Sequence, residues 1–389
     1  MALNADDLAE RIRPLFEENF SRFDELGAAV SIWQGGESVL ELQGGFRDAH
    51  RETPWTSETL VLFWSATKGL GSACLLHVLQ EHSIALERRV AEFWPEFAQS
   101  GKEKITFAQL LSHQAGLPAL DESIDVVDYA AVVRALEKQK PIWALGTAHG
   151  YHARTFGFLL DELARRIASR TIADYWRGVF AEPLALDIWI GLPAEENART
   201  ATVYPARASS ATPPDAFYRA LASPDTLQRK TFTSPHGLHS VSAMNTTENR
   251  ARPFVSFGGI GNAISLAKFY AMLANGGELG GRRFFSQHTI GQMTTTLTTG
   301  IDRVFEIPTA FSAGFMKDPP NAERRVFGPS PLAFGQPGAG GSHAFADSEN
   351  KLGFAYVMNQ MEQKILPNEK SLRLVDALYR LMISGSNRP

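Results

Sequence analysis

The feature that most constrains the fold is the placement of strand-like segments at both ends of the chain. Near the N-terminus, residues 27–33, the pair Gly35-Gly36 and residues 38–42 indicate a hairpin. Near the C-terminus, three more strand-like segments follow at residues 311–315, 341–345 and 352–359. Helical periodicity dominates between these ends. The two ends are therefore predicted to share one sheet-containing body, with a helical lobe between them.

The predicted boundaries follow from this pattern. We expect residues 1–78 and 258–389 to form an α/β domain and residues 79–257 to form a helical domain. Helices are predicted at residues 75–86, 107–112, 126–137, 156–168, 266–273 and 369–382. Residues 183–253 contain scattered prolines, serines and threonines, and we interpret them as long loops that line a pocket at the seam.

A serine three residues before a lysine can form a reactive pair, because one helical turn brings the two side chains to one face. The chain holds three such pairs: Ser65/Lys68, Ser265/Lys268 and Ser348/Lys351. We interpret Ser265 as the N-cap of a helix that begins at Leu266, and Ser348 as part of a hairpin tip. Ser65 stands at a junction between an apolar segment and a helix. Burial there would lower the pKa of Lys68 and make it a base for the serine.

A further proton-handling group is expected near this pair. Tyr151 follows a glycine and directly precedes an apolar helix, so that a rigid scaffold holds it in a loop. If Lys68 stabilises its phenolate, Tyr151 takes the serine proton and later returns it to the leaving group. His149, His152 and His343 are alternative bases. The backbone N–H of Ser65 and one from the glycine-rich residues 336–342 are candidates for stabilising an oxyanion.

Composition narrows the class of protein. The formal net charge of −4 at pH 7 gives no reason to expect nucleic acid or a membrane as partner. The single cysteine, Cys74, excludes an internal disulfide and lies in an apolar run, which predicts a buried structural thiol. No apolar run approaches the roughly 18 residues of a membrane span. The first residues lack the pattern of a signal peptide, so we expect a cytoplasmic protein, and a homo-oligomer is an open alternative to a monomer.

Five segments in order resemble the serine β-lactamase/penicillin-binding-protein superfamily, in particular its class C-like branch and the family VIII carboxylesterases. They are Ser65-Ala66-Thr67-Lys68, residues 110–118, Tyr151, residues 182–187 and the stretch from Gly338 to Asn359. The resemblance implies an α+β fold, in which helices flank an antiparallel sheet and a mostly helical domain adjoins it. It also implies an acyl-enzyme on Ser65, proton transfer by Lys68 and Tyr151, and no metal or cofactor.

Two departures from the family pattern bear on the substrate. The family's Tyr-x-Asn reads Tyr151-His152-Ala153, and its Lys-Thr-Gly reads Gln336-Pro337-Gly338, with Ala339 next as the second oxyanion donor. The neutral Gln336 removes a cation that would pair with a substrate carboxylate, which favours neutral esters. The side chains expected to form an apolar pocket are Trp64, Phe254, Phe257 and Phe315.

The leading hypothesis is a hydrolase of small-molecule carboxylic esters with short or medium acyl chains. A β-lactamase, amidase or D-amino-acid peptidase that uses the same three residues is the alternative within the same chemistry. A catalytically silent relative that binds a ligand or builds a scaffold is the alternative from another class.

Overall fold

The computed structural model describes residues 3–207 and 215–385. Residues 208–214, part of the predicted pocket-lining stretch, lie outside the described residues. The α-helices of the described part are α1 (Ala5–Arg22), α2 (Thr67–Glu81), α3 (Phe107–Leu111), α4 (Tyr129–Lys138), α5 (Thr155–Ala168), α6 (Ile172–Tyr175), α7 (Ala216–Ala222), α8 (Leu227–Thr233), α9 (Thr247–Arg250), α10 (Ala263–Ala274), α11 (Gln287–Thr294) and α12 (Glu369–Gly385).

The strands of the same residues are short except at the two ends of the chain. They are β1 (Gly27–Gln34), β2 (Glu37–Gly45), β3 (Val61–Leu62), β4 (Ile188–Ile190), β5 (Gly259–Gly261), β6 (Glu278–Leu279), β7 (Arg282–Arg283), β8 (Thr298–Ile301), β9 (Pro308–Phe311), β10 (Met316–Lys317), β11 (Ala333–Gly335), β12 (His343–Asp347) and β13 (Leu352–Met358).

An antiparallel sheet combines strands from both ends of the chain. Its order is β2-β1-β13-β12-β11-β10-β9-β8, and β1 pairs with β13 so that Ala28 lies opposite Met358. The predicted α+β class with an antiparallel sheet and flanking helices is confirmed. The domain boundaries at residues 78 and 258 stay a prediction.

Alternating side chains of the central strands divide the core in two. In β13, Phe354 and Tyr356 pack with residues of α1 and α12, whereas Ala355 and Val357 pack with residues of α2 and α10. This division follows from the two-residue period of a strand, which sends neighbouring side chains to opposite faces of the sheet. Both faces of the sheet are therefore covered by helices.

A buried charge cluster fixes α1 and α12 to this sheet. The ammonium of Lys370 in α12 lies 3.2 Å from a carboxylate oxygen of Glu25, and both side chains are buried. The same carboxylate accepts a hydrogen bond of 2.7 Å from the hydroxyl of Tyr356 in β13. Desolvation raises the pKa of Glu25 above its ordinary value, against the attraction of the lysine.

The hairpin prediction is confirmed, and three local predictions are wrong. Gly35 and Gly36 form the β1–β2 turn with φ of 61° and 92°, a conformation that glycine adopts without strain. Residues 311–315 do not form one strand, since β9 ends at Phe311 and β10 begins only at Met316. The N-cap of α10 is Asn262 instead of Ser265, and it accepts a hydrogen bond from the backbone N–H of Ser265.

The third error concerns the end of α2, which lies at Glu81 and not at Leu86. Ser83 adopts a left-handed conformation with φ of 53°, and the N–H of Ile84 donates to the carbonyl of Leu79 at 2.8 Å. This is a Schellman motif, which ends a helix by satisfying its last carbonyls. Glycine usually occupies the left-handed position, so a serine there left no signal in the sequence.

No helix among the described residues has both the length and the apolar character required to cross a lipid bilayer.

Candidate active site

Ser65 lies on a tight turn between β3 and α2 that neighbouring elements hold in place. The preceding residue, Trp64, has a left-handed φ of 52°, which is unfavourable for a bulky side chain. The hydroxyl of Thr67 donates to the carbonyl of Trp64 at 2.5 Å and accepts from the N–H of Gly259 in β5 at 2.8 Å. The surrounding structure therefore maintains a strained turn, and strain of this kind is concentrated at functional sites.

Lys68 extends from the first turn of α2 and is completely buried. Its Nζ donates to the carbonyl oxygens of Ala153 at 2.8 Å and Ser256 at 2.9 Å, and lies 3.3 Å from the Oγ of Ser65. Desolvation lowers the pKa of Lys68 well below its ordinary value, because burial penalises the charged ammonium. The structure therefore holds an amine with a strongly lowered pKa next to the serine.

The hydroxyl of Tyr151 is a second hydrogen-bond partner of the Ser65 side chain. The Nε2 of Gln336 donates to the Tyr151 oxygen at 3.3 Å, and the Tyr151 ring stacks on Phe305 with centroids 4.7 Å apart. Burial raises the pKa of Tyr151, although a side-chain hydrogen bond with Ser65 opposes the shift. The Nζ of Lys68 lies 4.8 Å from the Tyr151 ring centroid. Burial therefore disfavours the phenolate form of Tyr151, on which the sequence hypothesis depends.

Two residues that the sequence interpretation missed hold the Tyr151 loop. The carboxylate of Asp302 accepts hydrogen bonds from the backbone N–H groups of Tyr151, Val304 and Phe305 at 3.2, 2.8 and 2.9 Å. An aspartate that bonds to N–H groups two and three residues later is a common turn signal, and residues 302–305 carry it.

The second missed residue is His113, whose ring lies 5.0 Å from the Tyr151 ring between centroids. Its Nδ1 accepts from the N–H of His152 at 3.2 Å, and its carbonyl accepts from the N–H of Gly150 at 3.1 Å. Desolvation, followed by the charges of His152 and Lys68, lowers the pKa of His113 well below its ordinary value. His113 therefore supports the loop as a neutral ring.

The three histidines considered as alternative bases have other partners. His152 accepts from the N–H of Leu117 at 2.9 Å and bonds to the carbonyl of Gly150 at 2.7 Å, and burial lowers its pKa to about 3. His149 bonds to the hydroxyls of Thr309 and Thr298, and His343 bonds to Ser371. Among the described residues, the Ser65 side chain forms hydrogen bonds with Lys68 and Tyr151.

The strip from Gln336 to Ala339 borders Ser65 on the side of the large sheet. Gln336 is buried, and its N–H donates to the carbonyl of Ala344 in β12 at 3.0 Å. A Cβ at Gly338 would lie 2.1 Å from the carbonyl oxygen of Phe63, so this close approach requires glycine. The contact joins the strip to the turn that carries Ser65, and both Ser65 and Ala339 line the cavities described next.

Ser65 lines two cavities. The small chamber, about 50 Å³ in volume, is lined by Tyr151, Phe305, Met316, Gln336 and Ile365. The large chamber, about 760 Å³ in volume, is lined by Trp64, Ala153, Leu221, Leu238, Val241 and Phe257. Ser65 and Ala339, together with three aromatic residues of α7 and α8, border both: Phe217, Tyr218 and Phe232. Part of the stretch after residue 183 lines the large chamber, but the stretch is not composed of long loops alone, since it contains β4, α7, α8 and α9.

The predicted apolar pocket is only partly correct. Trp64 and Phe257 line the large chamber. Phe315 is fully buried against Phe334 and Tyr270, because the turn between β9 and β10 directs it into the core. Phe254 stacks on Phe257 but lines a separate cavity with Val126 and Phe158. The prediction is therefore wrong for Phe315 and Phe254.

Comparison with known proteins gives matches along most of the chain. Residues 16–376 match the model of the family described as Beta-lactamase. The esterase/β-lactamase LipL of Mycobacterium tuberculosis is 30% identical over 342 residues, which is 86% of this chain and 77% of LipL.

Two solved structures have a similar fold over nearly their full length. A penicillin-binding protein homologue from Caulobacter crescentus is 35% identical, with a TM-score of 0.86 over 98% of this chain and 99% of the other. A family VIII carboxylesterase is 37% identical, with a TM-score of 0.84 over the same shares of the two chains.

Proposed function

This chain belongs to the β-lactamase family, and from that premise we propose that it is a serine hydrolase that cleaves carboxylic esters through an acyl-enzyme on Ser65. One observation carries the proposal. The hydroxyl of Ser65 lies 3.3 Å from a fully buried amine, whose other two hydrogen-bond partners are carbonyl oxygens.

Those contacts orient the amine of Lys68 as a base. A neutral amine has two N–H groups and one lone pair. The carbonyls of Ala153 and Ser256 accept hydrogen bonds from these two N–H groups, which leaves the lone pair directed at Ser65. The lowered pKa of Lys68 favours the neutral amine, which is the form that can accept the serine proton.

Acylation of Ser65 then combines attack on the ester carbon with two proton transfers. The Oγ of Ser65 forms a bond to the ester carbon, and its proton passes to Lys68. The N–H groups of Ser65 and Ala339 stabilise the oxyanion. When the bond from carbon to the alcohol oxygen breaks, the phenol of Tyr151 donates its proton to that oxygen, and the Lys68 ammonium stabilises the resulting phenolate. Water attacks the acyl-enzyme in the second half-reaction, in which the acid is released and the three residues regain their initial protonation.

Gln336 and Ala153 support an ester as the substrate. Gln336 presents a neutral amide to Tyr151, where the family pattern has a lysine that would attract a carboxylate. Ala153 has no amide to bind the acylamide group of a β-lactam or peptide. The similarity to a family VIII carboxylesterase and to the esterase/β-lactamase LipL supports the same preference.

A comparison of two chromogenic substrates tests the proposal. We expect kcat/KM for p-nitrophenyl butyrate to exceed that for a chromogenic cephalosporin by at least about a hundredfold, equivalent to about 2.7 kcal/mol of transition-state binding. The Ser65→Ala variant is the control for both reactions. A preference for the cephalosporin would assign the site to β-lactam hydrolysis. Absence of turnover with esters, β-lactams and D-amino-acid amides by folded protein would indicate a silent relative.

A further inference from the structure

The two chambers that Ser65 lines differ greatly in volume, about 50 against about 760 Å³. A water molecule needs about 10–15 Å³ of cavity volume, so the small chamber holds only a few heavy atoms, while the large chamber holds a group of many atoms. We infer that the substrates are esters of a small alcohol with a large acid. This inference rests on the proposed function, because it uses the role of Tyr151 in that mechanism.

The position of Tyr151 decides which chamber receives the alcohol. The group that protonates the leaving oxygen must lie within hydrogen-bond reach of it. Tyr151 lines the small chamber, and Gln336 donates to its oxygen from the same chamber. The phenol proton is therefore available to an oxygen that leaves on this side. The alcohol is thus directed into the small chamber.

The walls of the small chamber limit the size of that alcohol. Phe305 stacks on the Tyr151 ring, with 25° between the two planes, and Phe217 packs edge-on against Phe305 at 5.7 Å between centroids. Phe305 and Phe217 are buried, and buried aromatic rings in close contact yield little space. Ile365 closes another side of this chamber. A methyl or ethyl group is the size of alcohol substituent that this volume accepts when Tyr151 protonates the leaving oxygen. A p-nitrophenolate leaves without that proton, so its departure is not confined to the small chamber.

The acyl group then takes the opposite direction, along Trp64 and Ala153 into the large chamber. Ala153 has only a methyl side chain at this entrance. The charged residues that line this chamber include Asp121, Glu122, Arg154 and Arg229. The rest of its wall includes the apolar side chains of Leu221, Leu238, Val241 and Phe257. Burial of each additional methylene of the acyl chain against such walls favours binding. Of the short or medium acyl chains that the sequence predicted, the longer ones are thus preferred.

A pair of constitutional isomers tests this assignment. Methyl octanoate and heptyl acetate have the same molecular formula, and their leaving alcohols have similar acidity. Methyl octanoate carries its long chain on the acyl side, whereas heptyl acetate carries it on the alcohol side. We expect kcat/KM, measured by pH-stat titration, to be at least about tenfold higher for methyl octanoate. Equal rates, or a preference for heptyl acetate, would overturn this inference and leave the proposed ester hydrolysis intact. Turnover of neither ester, nor of p-nitrophenyl butyrate, would overturn both.

Two variants test the chambers separately. Val241→Trp places an indole in the large chamber and should lower the ratio of methyl octanoate to methyl acetate turnover at least about tenfold. Ile365→Ala enlarges the small chamber and should raise the ratio of heptyl acetate to methyl acetate turnover. Leu332→Trp, at an exposed position, is the control for added bulk and should leave both ratios as in the wild type. Unchanged ratios in the first two variants, with folding verified by circular dichroism, would contradict the assignment.

Discussion

The Nζ of Lys68 lies 3.3 Å from the Oγ of Ser65, and two backbone carbonyls from different segments hold it there. One carbonyl belongs to Ala153, two residues after Tyr151, and the other belongs to Ser256, three residues before the start of β5. The protonation state of this amine is therefore coupled to the packing of three parts of the chain.

The first prediction concerns pH. If neutral Lys68 is the base, kcat/KM falls as pH decreases through the pKa of Lys68, since the ammonium cannot accept the serine proton. Because burial lowers this pKa, the acid limb should lie well below the value of about 10.4 of an ordinary lysine. A pH–rate profile with an uncharged ester measures it. Lys68→Arg keeps a permanent positive charge and should reduce kcat by about a thousandfold. An acid limb close to the ordinary lysine value would contradict this account.

The second prediction separates the role of Tyr151 from that of Lys68. Tyr151→Phe removes the proton donor for the leaving oxygen and should lower kcat for an ethyl ester by about 10²–10⁴-fold. The loss should be much smaller for a p-nitrophenyl ester, because p-nitrophenolate leaves without protonation. Parallel assays of the two esters measure the difference. Equal losses for both would mean that the phenol acts elsewhere in the reaction.

The third prediction concerns the contact between Gly338 and the Ser65 turn. A Cβ at Gly338 would lie 2.1 Å from the carbonyl oxygen of Phe63, so Gly338→Ala must displace the strip that carries Ala339. Loss of an aligned oxyanion donor lowers kcat by about 10²–10³-fold, and we expect kcat to change more than KM. Gly291→Ala is the matched control, since a Cβ in this part of α11 meets nothing within 4 Å. A Gly338→Ala variant with the kcat of the wild type would contradict the assignment of Ala339 as an oxyanion donor.

The fourth prediction concerns the buried pair of Glu25 and Lys370. Lys370→Met leaves a buried carboxylate without its cation and should lower the free energy of unfolding by about 3–5 kcal/mol, measured in urea. The pKa of Glu25, already raised by burial, rises further in this variant. The folded state then binds the proton more tightly than the unfolded state, so the destabilisation should grow as pH increases. Lys364→Met, at an exposed lysine, is the control, and an equal effect there would contradict the prediction.

Local patterns in the sequence predicted much of the fold and the centre of the site. Gly35-Gly36 is a strong turn signal, and Ser65 with Lys68 combines a helix start with a reactive pair within one turn. Contacts over long sequence distances were not predictable in this way. Asp302 and His113 support Tyr151 from positions 151 and 38 residues away, and periodicity carries no information about such contacts.

The errors have related causes. The Schellman motif at Ser83 lacks the glycine that usually marks it. Phe315 was assigned to the pocket because it is aromatic and close to the motifs in sequence, but the turn between β9 and β10 directs its side chain into the core. Side-chain direction after a turn depends on backbone geometry that composition does not specify.

The most direct test of the account is the intact mass of the protein after reaction with a fluorophosphonate, followed by peptide mapping. We expect wild-type protein to gain one phosphonyl group on the peptide that contains Ser65, and the folded Ser65→Ala variant to gain none. A phosphonyl group that persists in the Ser65→Ala variant, or maps to another residue, would contradict the assignment of Ser65 as the nucleophile.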